Sequence, residues 1–141
     1  MAKEYEATRG KRVVSWLMGK MARLGVGGFA VLTTTGRSSG RPRSVTVSPI
    51  TSQGIEYLVS PYGDSGWVLN LRADPSATLS RGGHDRRVTL EEVTGKQDQV
   101  VDAYYRREPF ARQFMDLPED PSPADFKAAS ESFPVFRVDE G

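Results

Sequence analysis

The chain has 141 residues, 38% of them hydrophobic, a net charge of +1 and no cysteine, which suits one domain with a single core and removes any disulfide framework or thiolate nucleophile. A cytoplasmic location follows as the expectation, and a lone histidine, His84, leaves too few ligands for zinc, so no metal is expected. Every apolar run is far shorter than the roughly 18 residues of a spanning helix, and the near-neutral total hides a split: residues 1–90 carry 13 Lys/Arg against 6 Asp/Glu, residues 91–141 carry 6 against 12.

Such a split can steer an anion toward the front of the chain. Nucleic acid is not the expected partner, because no helix-turn-helix, RNP or zinc-finger pattern accompanies the charge.

Residues 1–10 are polar and read as a flexible N-terminus, and residues 11–141 as the single domain. From Lys11 to Leu24, Val13, Val14, Trp16, Leu17, Met21 and Leu24 fall largely on one helical face, with Lys11, Arg12, Lys20 and Arg23 on the other. Two roles suit this basic amphipathic helix: peripheral contact with an anionic membrane, or packing on the domain or a partner subunit. Gly25-Val26-Gly27-Gly28 ends it, and Phe29–Thr35 reads as the first strand.

The turn that follows carries Arg37, Arg41 and Arg43 beside Ser38 and Ser39, with Gly36 and Gly40 supplying backbone freedom. Guanidinium forks, hydroxyls and backbone N–H groups gathered at a strand end suit a phosphate or carboxylate ligand; a solvated hairpin has the same composition. Ser44–Thr51 alternates Val45, Val47 and Pro49 with Ser44, Thr46 and Ser48 and reads as one strand with a polar face. On that face Thr46 and Ser48 could hydrogen-bond a flat heteroaromatic ring. Ser52-Gln53-Gly54 turns the chain into a third strand, Ile55–Ser60.

Ser60-Pro61-Tyr62-Gly63 breaks that strand, and Asp64 or Ser65 can cap a helix reaching about Asp74, where Pro75 stops it. Trp67, Asn70 and Leu71 share a face of this helix, so the Asn70 amide is expected to need a partner, either loop backbone or a ligand. Ser76–Ser80 is a short strand, Arg81-Gly82-Gly83-His84-Asp85 a hairpin turn, and Arg86–Thr94 the next strand. His84 has no nucleophile elbow to serve, and neither a Walker A loop nor a dinucleotide G-x-G-x-x-G fingerprint is present.

Val100, Val101, Tyr104 and Tyr105 form a helical stripe over Gln97–Arg107; Pro109 breaks it, and Phe110 with Phe114 marks a second short helix. Ser122-Pro123-Ala124-Asp125 has the signature of a helix start, for a helix that carries Phe126 and ends near Ser130. Phe133–Val138 is the last strand, with Pro134 pointing to an edge or strand-start position. Some six strands with short hairpins, one inserted helix and C-terminal helices describe a mainly β, α+β domain: a small antiparallel barrel with helical cover.

The string Val31-Leu32-Thr33-Thr34-Thr35-Gly36-Arg37-Ser38-Ser39-Gly40-Arg41-Pro42-Arg43, with Ser60-Pro61-Tyr62-Gly63 and Trp67-Val68-Leu69-Asn70-Leu71-Arg72-Ala73 downstream, resembles the deazaflavin-dependent nitroreductase family. The resemblance implies an FMN-binding-like split β-barrel, commonly homodimeric, that binds reduced coenzyme F420 and passes its hydride to a quinone, nitroaromatic or activated alkene. It places the cofactor's phosphate and acidic tail on Arg37, Ser38, Ser39, Gly40 and Arg43, and its ring against Thr46, Ser60, Tyr62, Gly63, Trp67 and Asn70. Phe126 is the closest candidate for the acceptor side, and Ser60 or Tyr62 for a hydrogen bond to the acceptor oxygen. Many members carry a lysine or arginine where this chain has Ser38, a loss that Arg41 or Arg81 could offset. The alternatives are an FMN-dependent oxidase or reductase on the same fold and a non-catalytic module for a hydrophobic ligand.

Overall fold

The computed structural model describes residues 28–95, 97–108, 112 and 115–140. The amphipathic segment expected over Lys11–Leu24 lies outside them, as do Phe110 and Phe114, the residues that mark the expected second short helix. Seven strands form one antiparallel sheet: β1 (Ala30–Thr35), β2 (Pro42–Val47), β3 (Ile50–Ser52), β4 (Ile55–Val59), β5 (Ser76–Arg81), β6 (His84–Glu92) and β7 (Val135–Glu140), in the order β2-β1-β5-β6-β7-β4-β3. Helix α1 (Gly66–Ala73) follows β4; α2 (Gln97–Arg107) and α3 (Pro123–Ala129) separate β6 from β7, and a 3-10 turn covers Ser130–Ser132.

The single strand expected over Ser44–Thr51 is two, which makes the count seven rather than six. Pro49 lacks the N–H that a ladder needs, so pairing with β1 ends at Val47 and pairing with β4 begins at Ile50. The two halves lie at opposite ends of the sheet order although only Ser48 and Pro49 separate them. The sheet therefore curls into a split barrel.

Two apolar clusters result. Inside the curl, Leu32, Leu58, Trp67, Leu71, Leu79, Leu90, Phe136 and Val138 pack together. Outside it, Ile50, Val59 and Val135 pack under Val101, Tyr104, Met115, Phe126 and Phe133. Successive residues of a strand face opposite sides, so Leu58 and Val59, like Phe136 and Val135, bury both faces of β4 and β7. Pro134 stands just ahead of β7, an interior strand rather than an edge, and its carbonyl accepts the Ser60 N–H at 2.9 Å.

Between β5 and β6 the turn shrinks to Gly82-Gly83, both at positive φ (57° and 81°), the geometry of a tight two-residue hairpin. His84, expected within the turn, is accordingly the first residue of β6, opposite Arg81. Helix α3 starts as its sequence demands: the Ser122 hydroxyl accepts the Asp125 N–H, and the Asp125 carboxylate accepts the Ser122 N–H.

Phe136 is 1% exposed, with its ring centroid 5.7 Å from that of Trp67. Replacing it by alanine should cost about 3–5 kcal/mol of stability, as large core truncations do. Urea unfolding would measure this, and a loss below about 1 kcal/mol would contradict a packed barrel interior.

Candidate functional site

The arginine turn leaves the end of β1 and is closed on itself. The Gly36 N–H donates to the Arg41 carbonyl at 2.8 Å, the Gly40 N–H to the Gly36 carbonyl at 2.8 Å, and the Arg41 N–H to Ser39 Oγ at 3.1 Å. A Cβ at residue 36 would stand 2.8 Å from Ser39 Oγ and 3.0 Å from the Arg41 carbonyl, and Gly40 sits at φ +70°. Both glycines are therefore demanded by the turn's shape.

Asn70, on α1, locks this turn to the barrel. Its amide nitrogen donates to Thr34 Oγ1 at 3.1 Å, and its Oδ1 accepts both the Arg37 backbone N–H at 3.2 Å and Arg37 Nη1 at 2.9 Å. Arg37 Nη1 also reaches the Gly66 carbonyl at 3.4 Å. Asn70 and Thr34 are 5% and 2% exposed, so these bonds form where unmade ones are costly. The partner that the Asn70 amide requires is loop backbone and two side chains.

One of the three arginines is thus engaged in fixing the turn. Arg41 and Arg43 are exposed, and among the described residues neither guanidinium has a hydrogen-bond or ion-pair partner. Ser38 and Ser39 are exposed beside them. Arg81, considered above as an offset for Ser38, stands at the other end of the barrel: Ser80 pairs with Val31, five residues before Gly36, which at about 3.3 Å per residue is roughly 17 Å away.

On the outward face of β1 and β2, Thr33 Oγ1 and Ser44 Oγ lie 2.9 Å apart, and half-buried Thr46 follows on the same face. Across from it, the loop between β4 and α1 is held from within. Ser60 is fully buried and donates its hydroxyl to the Gly63 carbonyl at 2.6 Å, with Ser65 Oγ 3.3 Å away. Ser65 begins α1 but caps it with no side-chain bond. Arg72 holds the loop from the other side, meeting Asp64 at 3.2 Å and chelating Glu92 at 2.9 and 2.8 Å. Hydrogen bonds to Glu92 first and Asp64 second raise the Arg72 pKa further above its ordinary value.

Tyr62 is half-buried and lies close enough to Tyr104 to influence its ionisation. Trp67 is 7% exposed and belongs to the interior cluster. Phe126 is 1% exposed in the outer cluster, edge-on to Tyr105 at 5.5 Å, with the Arg106 guanidinium 6.0 Å from its ring centre. The structure thus brings Arg37, Ser38, Ser39, Gly40, Arg43 and Asn70 together, gathers Ser60, Tyr62 and Gly63 in one loop, and sets Trp67 and Phe126 behind them in the two cores. Sequence reasoning missed Thr34. A hydroxyl in the inward register of Leu32 is the signal that could have found it.

The curled antiparallel sheet, with its basic strand-end turn locked to the helix that carries Trp67 and Asn70, is a split barrel. A family model, F420H(2)-dependent quinone reductase, matches residues 3–112, and the chain belongs to that family. It is an F420H2-dependent reductase.

Among solved structures, an F420-H2 dependent reductase (FDR-A) aligns with a TM-score of 0.55 at 21% identity, over 79% of this chain and 94% of its own. One described as a domain-swapped dimer aligns with 0.58 at 18% identity, over 93% and 94%. A putative pyridoxamine 5'-phosphate oxidase from Listeria innocua aligns with 0.55 at 14% identity, over 88% and 93%. At these identities the likeness is one of fold. No curated protein matches the chain. Among the described residues no helix is long and apolar enough to cross a membrane.

Two predictions follow from the bonds above. Asn70→Ala leaves the Thr34 hydroxyl and the Arg37 N–H without their partner, so it should cost about 1–3 kcal/mol in urea unfolding; Thr34→Val should cost less, because it leaves the two Arg37 bonds in place. Tyr104 is also informative. Burial first, then the charge of Glu108 and the neighbouring Tyr62, raise its phenol pKa, so the folded chain keeps a proton that the unfolded chain releases near pH ~10. Stability should therefore fall as the pH rises past that value, and less in Tyr104→Phe; equal losses in urea midpoints between about pH 9 and 11 would refute it.

Proposed function

We propose that the chain holds F420H2 with its acidic tail at the arginine turn and its ring along the outward face of β2, and reduces a quinone, nitroaromatic or activated alkene there. The observation that carries this reading is the Arg37–Asn70–Thr34 node. It fixes the turn rigidly while two further guanidinium groups remain turned to solvent.

The donor set fits such a cofactor. A polyanionic tail calls for planar cationic forks and hydroxyls on a backbone that needs no rearrangement. Arg41 and Arg43 supply the forks, Ser38 a hydroxyl, and exposed Gly40 the close approach. When bound, the reduced deazaflavin supplies the hydride. The protein's part is to orient donor and acceptor and to exclude water.

Thr46, Tyr62 and Gly63 are the residues assigned to the ring. The Ser60 hydroxyl, given to the Gly63 carbonyl, positions that loop, and Tyr62 is the hydroxyl assigned to the acceptor oxygen as negative charge develops there. Asn70 and Trp67 act from behind, through the turn and the barrel interior. Phe126 acts through Tyr105 on the helical side. A homodimer is the proposed assembly, in line with the domain-swapped relative.

Fluorescence titration with oxidised F420 and with FMN in parallel tests the reading. F420 should bind more tightly than FMN. Arg43→Ala should weaken F420 about tenfold or more, as loss of a charge-assisted contact does, whereas Arg87→Ala, on the exposed face of β6 opposite Thr78, should change it less than about twofold at physiological salt. Equal losses would reduce the site to long-range attraction, and binding of neither compound would overturn the assignment.

A further inference from the structure

Within the Trp67–Ala73 string, Arg72 is the charged residue that the reading above leaves without a task. Its guanidinium meets two carboxylates at once: Nε and Nη2 donate to the two Glu92 oxygens at 2.9 and 2.8 Å, and Nη1 stands 3.2 Å from Asp64 Oδ1. Glu92 ends β6 and lies opposite Phe136 of β7, so it belongs to the barrel. Asp64 belongs to the loop that follows Ser60.

A two-point chelate fixes the plane of a guanidinium. Nη1 is therefore aimed before it meets Asp64, and little side-chain freedom is left to lose in that last contact. Inside the loop, the bonds converge on one atom: the Gly63 carbonyl accepts the Ser60 hydroxyl at 2.6 Å and the Ser65 N–H at 2.8 Å. Gly63 itself sits at φ +77°, and Tyr62 stands just before it. Asp64, Arg72 and Glu92 are all exposed. Pairs so exposed contribute little to global stability, so what this one governs is the local placement of the loop.

We propose that Arg72 is a positioning residue: anchored by Glu92, it draws the loop Pro61–Ser65 in through Asp64 and so sets where the Tyr62 hydroxyl meets the acceptor. The effect on the acceptor rests on the F420 reading above, whereas the clamp itself does not.

Hydrogen exchange at the Ser65 N–H, followed by NMR in the cofactor-free protein, tests the clamp. It should quicken about two- to fivefold in Asp64→Ala, the size expected for an exposed pair, and return toward wild type in Asp64→Glu. It should stay unchanged in Glu119→Ala, which removes an exposed carboxylate from another loop. Glu92→Ala should quicken it too and add little to Asp64→Ala, because both break one chain of contacts. With F420H2 and a naphthoquinone, Asp64→Ala should lower kcat/KM for the quinone by a similar factor, while the F420 Kd stays within about twofold of wild type. Unchanged exchange in Asp64→Ala would overturn the proposal, as would equal quickening in Glu119→Ala. Faster exchange with unaltered quinone kinetics would overturn the role given to the placement of Tyr62. Failure of the wild-type chain to bind F420 is a separate result, against the cofactor reading, and the exchange comparison still decides the clamp.

Discussion

The structure depends on a covalent constraint. Seven strands laid flat at about 4.8 Å spacing would place β2 and β3 some 29 Å apart, yet Val47 and Ile50 are joined through Ser48 and Pro49 alone. Three virtual bonds of 3.8 Å reach about 11 Å at most. The sheet must roll until its ends meet, and rolling creates an interior lined by Leu32, Leu79 and Phe136 and an outer face on β4 and β7 for the helices. Both apolar clusters follow from that one short link.

A rolled sheet still needs its polar rim fixed, and Asn70 does this at one end. Thr34 reaches it from inside the barrel and Arg37 from the turn, so three elements share one buried amide. A fully satisfied buried polar group of this kind specifies geometry, because any displacement leaves a donor or acceptor unmade. The turn is thereby preorganised, and Arg41 and Arg43 can meet an anion without first ordering their backbone.

Local order was legible in the sequence, whereas pairing at a distance was not. The Ser122-Pro123-Ala124-Asp125 start of α3, the stop at Pro75 and the strand flanks of the arginine turn each depend on neighbours within a few residues. Pro49 misled because it occupies the apolar register of Val45 and Val47, so periodicity counts it as a core residue although it ends the ladder. Asn70 announced a need for a partner, but Thr34 and Arg37 are 36 and 33 residues away and only the fold supplies them. Arg81 shows the same limit: register, which composition does not encode, puts it at the far end of β1.

Charge shows most clearly what folding adds. Along the chain, the basic front and acidic back look like separate lobes, but β6 and β7 interleave them. Glu92 meets Arg72, Glu140 meets Arg86, and Glu91 and Asp139 meet Arg137. Four of the twelve acidic residues of the back half are used in this way, on Arg72 of α1 and on Arg86 and Arg137 of the sheet. These pairs are solvent-exposed and individually contribute little stability, so their main effect is on the field. With these arginines neutralised, Arg41 and Arg43 beside the turn stand out as exposed guanidinium groups with no partner among the described residues. An anion is drawn to such unpaired cations rather than to the paired ones on the sheet, and this follows from the order of the strands rather than from the net charge of the chain.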